Sequence, residues 1–308
     1  MMEILSWFIT ALAPAYIVYT LTSLGNLLIE RSGILNIAID GFFVLSSAMS
    51  YTYAILISQY LGPGELPTFL SIALTVLSIA LMYSIFTSLI TVLPVSQGAI
   101  GLSFMFAGYG LGAIVGNIGR LVFSIHRVRV DYIGMTIESS VLAYIFIAIV
   151  VTFIHVLLYR LKLGVFIRAV GEDPRVASQV GVNVTYIRFL SGLLGGSLIG
   201  LGGALFTLWR IGGWSQGQGL NHGWFAYAIS IAGWRFPLLV APISAFFSSL
   251  YVLSPHLQSI GLPVEVSTIV PYITSITIMA LVSAIPKRSR VFTDPKALGR
   301  EFFREERA

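Results

Sequence analysis

Residues 139–159 read SSVLAYIFIAIVVTFIHVLLY, 21 positions without an Asp, Glu, Lys or Arg, closed by Arg160 and Lys162. A helix needs about 20 apolar residues to cross the hydrocarbon of a bilayer. Backbone in lipid must also satisfy its own hydrogen bonds, so a run of this kind predicts a transmembrane helix. Similar runs occupy 4–28, 34–61, 68–92, 98–115, 187–208, 238–253 and 267–285. A shorter one, 224–233, is too short to cross alone and reads as a half-helix. The expected fold class is all-α, a polytopic membrane protein of about 8–10 helices, some of them broken or half-length.

Composition points the same way. The 308 residues are 56% hydrophobic and only 10% charged, with a mean hydropathy of +0.90. A soluble domain carries roughly a quarter charged residues, and a disordered chain needs low hydrophobicity. The chain has no cysteine, which excludes disulfides, thiolate metal sites and a cysteine nucleophile. Met1, Met2 and Glu3 lack the positive charge of a secretory signal, so the first run is expected to stay as a span.

The basic residues set an expected orientation. With the 160–188 segment and the tail in the cytoplasm, only Arg120, Arg127, Arg129 and Arg210 of the 18 Lys and Arg fall outside. The positive-inside rule selects that arrangement in the plasma membrane, with the N-terminus outside and the C-terminus inside. It requires 224–233 to serve as a crossing. A permease domain is thus expected over 1–286, with a cytoplasmic loop at about 160–187 and a short tail over 287–308. The net charge of +5 gathers beside the membrane, so a nucleic-acid partner is not expected.

The loop carries the most specific local signal. Residues 168–183 read RAVGEDPRVASQVGVN. Asp173 suits an N-cap, Pro174 the first helical position and Gly181 the left-handed position after the helix. About two turns result, with Val176, Ala177 and Val180 on one side. So short a helix is marginal in water and needs its flanking spans or a partner. A capped loop helix and a docking helix are both open on this pattern alone.

A second segment, 30–41, reads ERSGILNIAIDG. Gly33 and Gly41 bracket Asn36 and Asp40 inside an apolar run. A carboxylate there costs roughly 2.5–3.5 kcal/mol on insertion scales and usually faces a cavity or partner. A broken helix beside a substrate path and a carboxylate capping its own second half-helix are both open. A third segment, 96–105, reads SQGAIGLSFM and places Gln97, Gly101 and Met105 near the start of a span. Gly192, Gly196 and Gly200 recur at the four-residue spacing of close helix packing, and Gly108, Gly110, Gly112 and Gly116 read the same way. The 210–223 loop, with Gln216, Gln218, Asn221 and His222 between Trp214 and Trp224, reads first as an interfacial aromatic belt around a polar turn. No metal-ligand spacing of histidines and no Gly-Lys-Ser/Thr phosphate loop occur, so neither a metal, a cofactor nor intrinsic ATP hydrolysis is expected.

Taken in order, 30–41, 171–175 (GEDPR), 223–237 (GWFAYAISIAGWRFP) and 294–300 (DPKALGR) resemble permeases of the branched-chain amino acid, ribose and nucleoside importer class. The nucleoside and simple-sugar branch is the most similar, and the resemblance covers nearly the whole chain. It implies a permease that catalyses no reaction, forming the path for a nucleoside or simple sugar. It implies as partners ATP-binding subunits, a second permease chain in a homo- or heterodimer and an extracytoplasmic binding protein. It implies that Gly171, Glu172, Asp173, Pro174, Arg175, Val176, Ala177 and Gly181 form the coupling helix gripped by the ATPase. It implies a substrate path near Asn36, Asp40, Gly41, Gln97, Gly101 and Met105. Asp40 stands where the family carries Glu, and Met105 where it carries Asn. A branched-chain amino acid permease and an ion-gradient-driven transporter are the alternatives.

Overall fold

The computed structural model describes residues 2–93, 95–259, 261–284 and 293–302. Eleven α-helices follow in order: α1 (Met2–Arg31), α2 (Ile39–Leu61), α3 (Glu65–Val92), α4 (Gln97–His126), α5 (Ile137–Arg160), α6 (Lys162–Glu172), α7 (Pro174–Gln179), α8 (Val184–Leu205), α9 (His222–Ala232), α10 (Pro237–Ser259) and α11 (Val264–Ala284). A π-turn, Phe206–Ile211, extends α8. Seven helices are long and apolar enough to cross a membrane, and no strand occurs among the described residues. Each of the nine apolar runs is a helix, and the protein is a multi-pass membrane protein.

Helix α1 is the axis of the bundle, with residues from Leu21 to Ile29 buried at Leu21, Leu24, Leu27, Leu28 and Ile29. It packs on α5, α8, α9 and α10. Helices α3, α4 and α5 keep outward faces of Leu, Ile and Phe, as lipid-facing spans do. Small residues set the closest crossings. A Cβ at Gly192 or Gly196 would collide with Thr87 or Tyr83 of α3, and Gly25 and Gly195 meet backbone to backbone between α1 and α8. Gly108 meets the Gly41 backbone in the same sense and Gly112 lies on Val44, whereas Gly116 receives the Trp214 ring and Gly110 has nothing of this chain within 4 Å.

Helix α9 is the half-helix. Its 11 residues rise about 16 Å, roughly half the hydrocarbon thickness. Tyr19 meets His222, Ser23 meets Ala226 and Glu30 meets Arg235, so α9 runs parallel to the second half of α1. The 212–221 loop therefore dips into the bundle before α9 begins. Trp214 packs against Gly116 and stacks 6.1 Å from Tyr51, while a Cβ on Gly219 would come into contact with Phe43. Trp214 is thus held against α2 and α4, while Ser215, Gln216 and Asn221 of the loop stay exposed. Loop and half-helix together return the chain to the end where α1 finished.

Candidate functional site

The first candidate segment lies at the bundle end that also holds Arg31, Arg188 and Arg235. The Asp173 carboxylate accepts from the Arg175 and Val176 N–H groups at 2.9 and 3.1 Å, capping α7, and Pro174 opens it. Gly181 follows at φ +88°, a conformation that side chains with a Cβ rarely adopt. The predicted two turns are six helical residues. The three apolar positions do not share one face. Ala177 is 3% exposed and seats the helix, whereas Val176 and Val180 are 53% and 75% exposed and point away from the chain. Gly171 has no room for a Cβ because the Arg31 carbonyl lies against it, so the root of the segment is fixed to the end of α1.

The second candidate region is the break between α1 and α2, residues 32–38. Asn36 donates to the Asn26 side chain at 2.9 Å and accepts from Tyr83 at 3.3 Å. Asn26 in turn donates to Glu30 at 3.2 Å. Asn36 thus joins a side-chain network rather than the freed backbone. Asp40 does not cap its own helix. Its carboxylate reaches across to α9 and accepts from the backbone N–H groups of Asn221, Gly223 and Trp224 at 3.0, 2.7 and 3.4 Å, with the Tyr109 hydroxyl donating at 2.6 Å. A half-helix that starts inside a bilayer exposes N–H groups that no water can satisfy. The carboxylate meets both that need and the positive end of the dipole. Gly223 is glycine because the Asp40 backbone fills the space of a Cβ.

Gln97, Gly101 and Met105 meet this same region along the α2–α4 seam. Gln97 accepts from the Leu35 N–H at 2.8 Å, Gly101 leaves Ile37 just enough room, and Gly41 sits on the Met105 backbone. The structure therefore brings Asn36, Asp40, Gly41, Gln97, Gly101 and Met105 together, all buried within the chain.

Two features were not legible in the sequence. Arg235, after α9, pairs with buried Glu30 at 2.5 Å and with Asp294. Burial lowers the Arg235 guanidinium, but the Glu30 carboxylate more than offsets this and holds it above its ordinary value. The second is the tail. Residues 293–302, Asp294 and Pro295 among them, form turns and extended chain rather than a helix. Asp294 is committed to Arg235, and the Ala297 N–H donates to the Gly171 carbonyl at 2.9 Å, which draws the segment off a helical course. Lys287, Arg288, Arg290 and residues 303–308, which the orientation argument also used, lie outside the described residues. His155 packs against Tyr159 and Phe236 at 5.1 and 5.4 Å, as a helix-packing histidine does. No cluster of metal-ligating side chains occurs among the described residues.

The family profile described as branched-chain amino acid transport system / permease component matches residues 8–279. TsgC13 of Haloferax volcanii, provisionally named a glucose ABC transporter permease protein, is 26% identical over 96% of this chain and 97% of its own. The nucleoside ABC transporter permease protein NupC of Lactococcus lactis is 26% identical over 84% of this chain and 87% of its own. The guanosine ABC transporter permease protein NupQ of Bacillus subtilis is 24% identical over 97% and 98%. No solved structure matches the chain.

Proposed function

The chain belongs to the branched-chain amino acid transport system / permease component family, and from that premise we propose that it is the membrane subunit of an ABC importer for a nucleoside or simple sugar. The names of three relatives similar over most of their length support the substrate class. Permease components catalyse no reaction themselves. ATP hydrolysis is supplied by separate ATP-binding subunits, a second permease chain completes the path, and an extracytoplasmic binding protein delivers the solute. The bundle end bearing Arg31, Arg168, Arg188 and Arg235 faces the cytoplasm, and the N-terminus faces outside.

One observation carries this reading. The short helix α7 is capped at both ends, rooted on α1 through Gly171, and presents Val176 and Val180 outward. Exposed valines on a rigidly held helix suit insertion into an apolar cleft of a partner. Gly171, Glu172, Asp173, Pro174, Arg175, Val176, Ala177 and Gly181 form the coupling segment. Motion there reaches the seam of Asn36, Asp40, Gly41, Gln97, Gly101 and Met105 through the ends of α1 and α8, and opening of that seam admits the solute.

An ion-gradient-driven transporter needs a carboxylate free to take up a cation or proton. Buried Asp40 and Glu30 are instead engaged, one by three backbone N–H groups and a tyrosine, the other by Arg235. The deciding experiment is uptake of labelled nucleosides and sugars into proteoliposomes holding the permease with or without its ATP-binding subunits and binding protein. Uptake should need ATP and every subunit. Uptake by the permease alone would end the importer reading.

A further inference from the structure

Residues 293–302 lie across the basic end of the bundle and tie together elements far apart in the chain. On one side the Ala297 N–H donates to the Gly171 carbonyl at 2.9 Å, three residues before α7 begins. Pro295 packs on the same glycine. On the other side Asp294 pairs with Arg235, three residues after α9 ends. The Arg31 guanidinium holds both sides. It donates to the Thr293 carbonyl at 3.2 Å, the Arg235 carbonyl at 2.9 Å and the Trp234 carbonyl at 3.2 Å. Further along, Gln97 of α4 donates to the Arg300 carbonyl at 2.6 Å, and Phe302 lies under the Arg188 guanidinium at 5.8 Å.

We infer that this strap carries motion of α7 to α9, and that Asp294 is a positioning residue for transport. The inference rests on the importer reading, since it needs a motor that moves α7. Arg235 stands between two carboxylates of unequal character. Glu30 is fully buried, whereas the Asp294 side chain is 46% exposed. Parting a buried pair strands a charge in low dielectric, whereas a half-exposed partner can exchange with water. Arg235–Glu30 therefore holds Arg235 to the end of α1, and Arg235–Asp294 is the contact through which the strap adds its pull. Displacement of Gly171 pulls the strap, the strap shifts Arg235, and α9 moves as a rigid rod. Its far end is the N-terminus resting on Asp40, so the strap links the coupling segment to the Asp40 junction beside the route through the ends of α1 and α8.

The chain has no cysteine, so Leu220→Cys, two residues before α9, supplies a single thiol to report on that N-terminus. The permease, reconstituted with its ATP-binding subunits, is labelled with an impermeant maleimide with and without ATP. ATP should change the labelling rate at least about fivefold, the low end of coupling between linked sites. Asp294→Lys should abolish the change while subunit assembly and ATP hydrolysis persist, and Asp294→Glu should restore most of it. An ATP response in Asp294→Lys equal to that of the parent overturns the linkage alone. So does loss of ATPase assembly in that variant, which would make the strap a docking element. An unmodified assembly in which no ATP-driven uptake of labelled guanosine or glucose occurs overturns the importer reading for those solutes, whatever the strap variants do.

Discussion

The Asp40 carboxylate lies 2.7 Å from the backbone N–H of Gly223, 183 positions further along the chain. A carboxylate near the start of one helix thus closes the open end of another inside the membrane. The position where a half-helix would otherwise offer its N–H groups to an anionic ligand is filled by the protein itself, and Tyr109 seals it from the α4 side. The junction of α2, α4 and α9 is held by one side chain.

Asp40→Ala should therefore leave the buried Gly223 N–H and the half-buried Asn221 and Trp224 N–H groups without their carboxylate acceptor. Hydrogen bonds to a charged group contribute about 1.5–3 kcal/mol each in net terms and are not additive, so a loss of about 3 kcal/mol overall is expected. Asp40→Glu should be tolerated better than Asp40→Ala. Thermal unfolding of the detergent-purified protein reads both, and an Asp40→Ala melting temperature equal to wild type would remove the capping role.

The α2–α4 seam gives an internally controlled pair. Gly108→Ala drives a methyl into the Gly41 backbone, and overpacking of this kind costs about 1–3 kcal/mol. Gly110→Ala, two positions on, meets nothing within 4 Å and should stabilise α4 by about 0.5–1 kcal/mol through helix propensity. Opposite signs in the two melting curves are expected. Equal shifts would mean that the seam is looser than described.

Glu30→Gln should be more harmful than the double replacement Glu30→Gln with Arg235→Met. Removing one partner of a buried pair costs about 3–5 kcal/mol, whereas replacing both is often close to neutral. Asp294 remains beside Arg235, which should keep the single variant near the lower bound. A double-mutant cycle on unfolding checks the coupling, and strict additivity would count against it.

At the coupling segment, Val176→Glu with Val180→Glu should release the ATP-binding subunits in co-purification while the permease inserts and melts as before, since both side chains face outward. Glu172→Lys and Pro174→Gly should lower ATP-driven uptake with insertion unchanged. Normal uptake in both would remove the segment from coupling.

Much of this architecture was legible along the chain. The nine apolar runs are nine helices because length and hydropathy are local quantities that lipid enforces. Asp173, Pro174 and Gly181 announced α7 because a cap acts over three or four residues. The candidate residues 36–41 and 97–105 meet in one seam, but their contacts could not be read in advance. In α3 the hydroxyl residues Thr68, Ser71, Thr75, Ser84, Thr87 and Thr91 recur at helical spacing and form the buried face, but such a stripe does not say which helix it meets.

By itself, the sequence determined that the chain crosses a membrane several times, where its basic residues gather, and that a capped helix projects from its main loop. All of these follow from forces acting within one or two helical turns. Only the tertiary structure decided that Asp40 caps α9 rather than α2, that Glu30 and Asp294 share Arg235, and that residues 293–302 lie as a strap across the basic end. Each depends on which distant polar group comes within about 3 Å once the spans pack, where lipid leaves a buried charge or N–H no alternative partner.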